Sequence, residues 1–374
     1  MISSNVNLTE LEILALDSEL NVADGHARQE LSDGQQRIID ELSTLFQKAA
    51  LQPIADLERT AHRTFFQLLG QHRYPVGDNA VLSCYASSVA MEILARSLVT
   101  TSDAVALVHP TFDNIPDILR GVGLRLVPVE EDPLHTGDPA LAVPEGVGCV
   151  FITTPNNPTG RVLSARRLAE IARVCEERDV VLALDTSFRG FDTRAHYDHY
   201  AVLEASGCRW VVIEDTGKLW ATLDLKIGLL AYSRNIGLPI PKIYSDILLG
   251  VSPFILTLVE HFAEDAANGG LSDLHAFIAE GRAIVRGVLG DVPGVSFPDP
   301  DSRVSVERVD LGHLSCDDIW DELHKRQVYA LPCTQFHWAD PARGDRSLRI
   351  ALARPHSSVR AAAEELRAVL LAAG

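Results

Sequence analysis

Between residues 104 and 235 short apolar runs recur along the chain, separated by stretches of mixed polarity. Ala104–Val108, Leu124–Val129, Val147–Thr153, Val180–Asp185, Arg209–Glu214 and Ile227–Ser233 are rich in Val, Ile and Leu. Near-continuous apolar runs of this length read as strands buried on both faces. The segments near Ser88–Val99, Thr111–Gly121 and Ser164–Arg178 read as helices between them. The alternation predicts an α/β fold with a mostly parallel central sheet, and in such sheets ligands collect at the carboxyl ends of the strands.

The flanking regions have a different pattern. Residues 1–35 read as an arm, with a helix opening at Thr9-Glu-Leu-Glu12, carrying Leu11 and Leu14 on one side and ending near Ala23-Asp-Gly25. Residues 35–72 read as helix, with Ile38, Leu42, Leu45 and Phe46 near helical spacing. A chain of 374 residues suggests two domains. We divide it into the arm, a large domain over 36–254, and a smaller α+β domain over 255–374 whose last helix lies near Ser357–Leu371.

Composition narrows the function. At 47% hydrophobic and 22% charged residues the chain has ample core. The formal net charge of −18 argues against nucleic acid and anionic membranes as partners. Six cysteines without CxxC spacing, mostly in apolar surroundings, read as small buried hydrophobes rather than a disulfide framework or zinc site. Met1–Asn5 lacks the features of a signal peptide, and the apolar run Leu248–Phe262 is broken by Ser252, Pro253 and Glu260. A cytoplasmic protein is expected.

The candidate chemistry centres on Lys218, which follows the apolar run Arg209–Ile213 in a Thr-Gly turn. A lysine there is ordinarily a solvated loop residue. Its company is not ordinary: Asn156-Asn-Pro-Thr-Gly160 follows one strand, Asp185 ends the next, and Lys226 and Arg349 lie downstream. This set fits a pyridoxal 5'-phosphate (PLP) site, where a lysine carries the cofactor covalently and a carboxylate partners the pyridinium nitrogen.

Over nearly its whole length the chain resembles the fold type I PLP-dependent aminotransferases (class I/II), through the order and spacing of Asn157, Asp185, Lys218 and Arg349. The resemblance implies a large domain built on a mostly parallel sheet, a smaller C-terminal domain, and a homodimer. It implies that Asn157 hydrogen-bonds the cofactor's phenolic oxygen and Asp185 keeps its ring nitrogen protonated. Ser87 and Ser88, in Ala86-Ser-Ser88, match the phosphate-binding turn at a helix start, and Lys226 stands where an arginine usually meets the phosphate. Phe112 matches the stacking aromatic, Ser187 falls among the cofactor-binding residues, and Arg349 matches the bidentate grip on the substrate carboxylate. Simpler readings stand beside these. Asn156–Gly160 is also a turn sequence, Asp185 a possible cap, Ser87 an ordinary N-cap and Phe112 ordinary core.

Two positions depart from the aminotransferase pattern. Phe188 replaces a tyrosine that donates to the phenolic oxygen, and Asp215 replaces a serine near the phosphate. A carboxylate is repelled by a phosphate, so Asp215 is expected to turn toward the substrate pocket, where it suits a cationic side chain. With these departures the chain resembles a narrower group, the PLP-dependent, oxygen-using L-arginine oxidases and hydroxylases of actinobacterial natural-product pathways. The resemblance runs through Ala23–Arg28, Val108–Asp113, Leu184–Phe191, Glu214–Lys218 and Gln335–Trp338. It implies oxidation of L-arginine by O2 to 4-hydroxy-2-ketoarginine, with 2-ketoarginine as a side product. Water supplies the hydroxyl, and ammonia and hydrogen peroxide leave.

By the same matching, Glu12 and Asp215 hold the guanidinium, Thr9 contacts substrate from the closing arm, and His26 assists hydroxylation. Thr9-x-x-Glu12 is also a capping box, and a capping Glu12 is turned back on its own helix. His26, one of thirteen histidines, is otherwise a surface residue. The competing functions are an aminotransferase acting on a cationic amino acid, which needs a keto-acid acceptor, and a non-catalytic PLP-binding module.

Overall fold

A computed structural model describes residues 6–77 and 81–374. The leader question, which turns on Met1–Asn5, lies outside the described residues, as do the first five residues of the arm. The central sheet has seven strands: Val81–Cys84 (β1), Ala104–His109 (β2), Arg125–Glu130 (β3), Cys149–Thr153 (β4), Val181–Asp185 (β5), Trp210–Asp215 (β6) and Gly228–Tyr232 (β7). Their order is β1-β7-β6-β5-β4-β2-β3. The block from β2 to β6 is parallel, while β7 runs antiparallel to both β6 and β1. The six predicted strands are present to within about two residues, an ordinary boundary error. The short, partly polar β1 was not anticipated.

Every residue of β2, β4, β5 and β6 is buried, as continuous apolar runs require when helices cover both faces. The register pairs Thr153 with Asp185 and Asp185 with Ile213. The carboxyl ends of β4, β5 and β6 are thereby level, and the loops that leave them share one rim.

The predicted helix over 35–72 is three helices, Asp33–Asp40, Leu42–Leu51 and Ile54–Leu68. The second break falls at Gln52-Pro53, where Gln52 is extended (φ −100°, ψ 145°), as a residue before proline prefers. The C-terminal region carries a three-stranded antiparallel sheet of Leu331–Pro332, Ser347–Ala351 and Val306–Asp310. It is accompanied by helices Leu271–Leu289, Cys316–Lys325 and His356–Ala373. Helix Pro253–Asp265 packs on Ile54–Leu68, so residue 254 falls within its first turn. No helix among the described residues is long and apolar enough to cross a membrane.

The arm helix is shorter than predicted, Leu8–Leu14, and a two-residue strand follows, Leu20–Asn21, parallel to Val328–Tyr329. The Ala351 amide donates to Val22 O at 2.8 Å and the Arg28 amide to Ala353 O at 2.9 Å. The arm is thus stitched to the C-terminal sheet. Leu8, Leu11, Ala15 and Ala23 join Trp320, Tyr329, Leu331 and Phe336 in an apolar cluster separate from the main core. The capping box is not Thr9–Glu12. Asn7 Oδ1 accepts from the Glu10 amide at 2.9 Å, and Glu10 Oε2 accepts from the Asn7 amide at 2.8 Å. Starting the helix at Leu8 puts Leu8, Leu11, Glu12 and Ala15 on one inward stripe, and this burial selects Asn7 as the cap.

Candidate active site

Asn157, Asp185 and Lys218 follow or end β4, β5 and β6, so the parallel register gathers them on one rim. Asp185 Oδ1 accepts from the Ser187 amide at 3.0 Å and from its hydroxyl at 2.6 Å. These bonds close a local turn and cap no helix, since the next helical turn, Arg189–Phe191, starts at Phe188 without a side-chain cap. Burial pushes this carboxyl up to about 6, against the lowering effect of the Ser187 bonds. Asn157 Oδ1 is buried without a protein partner. Its neighbours are pinned by the buried Glu131, whose Oε1 accepts from Asn156 Nδ2 and Thr159 Oγ1, both at 2.7 Å. The loop is thereby tied down on both sides of Asn157. Lys218 Nζ lies 5.9 Å from the centre of the Phe188 ring.

Ser87 and Ser88 open the helix Ser87–Leu98. A Cβ at Gly228 would collide with the backbone of Ala86 and Ser87, so glycine in β7 lets this turn sit against the sheet. Asp215 does not turn away from it. Its Oδ2 accepts from the Ser87 amide at 3.2 Å and the Ser87 hydroxyl at 2.6 Å, while Oδ1 accepts from the Gly217 amide at 2.6 Å. The amides of a helix start attract the nearest carboxylate, and this local bonding outweighs the orientation anticipated for Asp215. Burial would raise the Asp215 carboxyl, but Lys226 and Lys218 outweigh it and hold the group below the usual range.

The Lys226 stem passes over Gly217, where a Cβ would strike it. Its Nζ meets His26 Nε2 at 2.5 Å and Asp224 Oδ1 at 3.5 Å. His26 Nδ1 is 2.7 Å from Asp24 Oδ1. His26 therefore bridges an arm carboxylate and the lysine matched to the phosphate.

Arg349, in strand Ser347–Ala351, is wholly buried. Its Nη2 donates to Glu12 Oε1 at 3.1 Å and to Ala23 O, whereas Nε and Nη1 are buried without a partner. Glu12 Oε1 also accepts from the Gly25 amide at 3.2 Å. A Cβ on Gly25 would lie 3.1 Å from Arg349 Nη1, 3.7 Å from Lys218 Nζ and 3.8 Å from Glu12 Oε1. Gly25 is thus where arm, lysine and arginine meet. Phe336 packs 5.8 Å from the Arg349 guanidinium, and the half-buried Phe112 packs edge-on against Phe336 at 5.7 Å. Thr9 is exposed on the arm helix, outside this cluster.

Sequence reasoning missed the residues that hold the arm. Asp113 Oδ2 accepts from the Leu8 amide at 2.6 Å, and burial pushes its carboxyl up to about 7. Arg354 is buried; its Nε donates to Asn21 O at 2.9 Å, Nη1 to His26 O at 2.6 Å, and Nη2 to Asp24 O. Arg354 Nη2 also lies 3.4 Å from Asp24 Oδ2. Asp113 lies inside a quoted motif, but its partner is a backbone amide; no sequence signal marks Arg354.

These residues fit PLP. A helix start whose Ser87 amide and hydroxyl already hold one carboxylate, together with Lys226, suits an anion such as a phosphate, Asn157 leaves its buried Oδ1 without a protein partner, and ionised Asp185 suits a pyridinium. The Aminotransferase class I and II family model matches residues 26–366. YugH of Bacillus subtilis is 24% identical over 201 residues, 52% of this chain and 50% of that protein. The histidinol-phosphate aminotransferase of Methanocella arvoryzae is 25% identical over 274 residues, 72% of this chain and 70% of that protein. The chain thus spans only about half the length of the first of these curated relatives. The solved structure of MppP soaked with the product 2-ketoarginine is 60% identical, with a TM-score of 0.92, covering 94% of this chain and 99% of that one. The aspartate aminotransferase from Thermus thermophilus with maleate, at 16% identity and a TM-score of 0.79, covers 98% of this chain and 97% of its own and shares the fold. With the family match running from the arm into the last helix over a site built for its cofactor, this chain belongs to the class I and II aminotransferases, a PLP-dependent family.

Proposed function

We propose that this protein uses PLP and O2 to oxidise L-arginine to 4-hydroxy-2-ketoarginine, with 2-ketoarginine alongside, releasing ammonia and hydrogen peroxide in a natural-product pathway. The observation that carries this reading is the 60% identity to MppP, a protein whose soaked product is 2-ketoarginine. The site supports it through Arg349, whose free nitrogens suit a carboxylate, and through Glu12 on the arm beside it.

In this reading Lys218, Asn157, Asp185, Ser187, Ser87, Ser88, Lys226 and Phe112 hold the cofactor. Bound PLP supplies an electron-withdrawing ring conjugated to the substrate Cα. Arg349 orients the substrate by its carboxylate, and Lys218 Nζ takes up the Cα proton. Glu12 receives the guanidinium, and Asp215 gives up its bond to Ser87 to join it. Thr9 reaches substrate through a shift of the arm helix. His26, oriented by Asp24 through Nδ1, gives up the contact of its Nε2 with Lys226 and uses that nitrogen to hold a proton at the water that supplies the hydroxyl. Residues 1–35 act as a lid that excludes bulk water over domains 36–254 and 255–374. The exposed Leu51, Ile54, Val76 and Leu249 suit the face of a homodimer, and a cytoplasmic location goes with this reading.

The test is oxygen uptake by the PLP-loaded protein given L-arginine alone, with mass spectrometry of the product. Uptake with ammonia release and a hydroxylated keto acid is the expected result. Turnover only after a keto acid is added would instead make the protein an aminotransferase for a cationic amino acid.

A further inference from the structure

The arm engages one particular nitrogen of Arg349, and the choice matters. A guanidinium offers a carboxylate two bidentate edges, Nε with Nη2 and Nη1 with Nη2. Arg308 uses the first on Asp299, with Nε at 2.8 Å and Nη2 at 3.0 Å. Nη2 belongs to both edges. In Arg349 its two protons go to Glu12 Oε1 and Ala23 O, and Nε and Nη1 are left buried without partners. Both acceptors are arm residues. A second carboxylate can take either edge bidentately only after one of them lets go.

We propose that Glu12 is an internal competitor for Arg349, a carboxylate that holds the substrate-carboxylate site until a ligand offers it a cation in exchange. This deepens the reading of Arg349 as the carboxylate grip and rests on it. A ligand with a carboxylate alone displaces Glu12 and leaves it buried with the Gly25 amide as its remaining partner, a costly state for a charge. A ligand carrying a carboxylate and a guanidinium at the separation found in arginine moves Glu12 from one guanidinium to another. Its charge pairing is then conserved. Selectivity for a cationic side chain therefore comes from a penalty on other ligands as much as from an added contact.

Two unreactive probes test the exchange on the PLP-loaded protein by calorimetry: pentanoate, which has the carboxylate alone, and 5-guanidinopentanoate, which has both groups. In Glu12→Gln, a near-isosteric change, pentanoate is expected to bind about tenfold tighter than in the wild type, and 5-guanidinopentanoate about tenfold weaker, each the size of one hydrogen bond to a charged group. The opposite signs are the signature. An ordinary contact would weaken the second probe and leave pentanoate unchanged, and that result overturns the proposal. Arg349→Lys separates this failure from failure of the underlying reading. If pentanoate binds Arg349→Lys as well as the wild type, Arg349 is not the carboxylate site and both ideas fall. If binding is lost in Arg349→Lys yet does not tighten in Glu12→Gln, only the exchange falls.

Discussion

The floor of the site and its roof are built by different physics. The floor residues stand at the ends of three adjacent parallel strands whose every residue is buried, so their relative positions are set by a hydrogen-bonded ladder inside the main core. The roof is the arm, which enters the main core at Val22, shares a small apolar cluster with Trp320, Tyr329, Leu331 and Phe336, and is held over the site by polar clasps: Asp113 on Leu8, Arg349 on Glu12 and Ala23, Arg354 on Asn21, Asp24 and His26. A floor of this kind is rigid. A roof held by a few bonds can open at modest cost, which is what a closing lid requires.

The largest effect should come from the floor. Lys218→Ala is expected to abolish turnover and the absorbance of the lysine-bound cofactor while leaving the thermal midpoint of the apoprotein within a few degrees. A retained band with full turnover would remove Lys218 from the chemistry. Next comes the main clasp of the roof. Arg354→Ala strips a buried cation from three backbone carbonyls of the arm and from the Asp24 carboxylate, and should cost ~3 kcal/mol of arm docking. Amide exchange over residues 21–28 should then quicken about a hundredfold, with the cofactor absorbance unchanged. A variant that exchanges uniformly faster throughout would show that arm and sheet unfold together as one cooperative unit.

A pH titration sharpens the description of the floor. Asp185, raised to about 6 by burial, must be ionised to partner a pyridinium. Cofactor affinity should therefore fall by about tenfold per unit as pH drops below 6, the slope of one linked proton. For the apoprotein the sign is opposite. Its carboxyl ionises later than in the unfolded chain, so stability is lost as pH rises from about 4 to about 6 and stays lost above that. Asp185→Asn should flatten the affinity profile at a lower level. The smallest effects concern the arm helix. Asn7→Ala removes its cap and should cost ~1 kcal/mol of arm protection, while Thr9→Ala at an exposed site should change stability by less than ~0.5 kcal/mol. A larger cost from Thr9→Ala than from Asn7→Ala would restore the Thr9–Glu12 cap.

How much of this was legible in advance follows the same division. Apolar runs of five to seven residues located six strands of the sheet, and with them the three strand ends that carry Asn157, Asp185 and Lys218. Asp215 was placed in the site, but its bonds to the amide and hydroxyl of Ser87 were not foreseen, because repulsion by a phosphate was weighed without them. Thr9-x-x-Glu12 satisfied the capping pattern, yet Asn7-x-x-Glu10 satisfied it too, and only the burial of Leu8, Leu11 and Glu12 chose between them. Glu131 and Arg354 left no trace in the sequence, since each acts on loops and carbonyls that any residues could supply.

The sequence by itself therefore determined the α/β sheet and which residues stand along its carboxyl edge. Hydrophobic alternation is local, and a parallel strand delivers its last residue to a predictable rim. The tertiary structure alone decided what the arm meets. Glu12 meets Arg349 across 337 positions of chain and Asn21 meets Arg354 across 333, so neither pairing has a local period to announce it. Which buried donor meets which acceptor is settled only when the arm, the C-terminal sheet and the strand ends pack together, because each must find a partner once water is excluded.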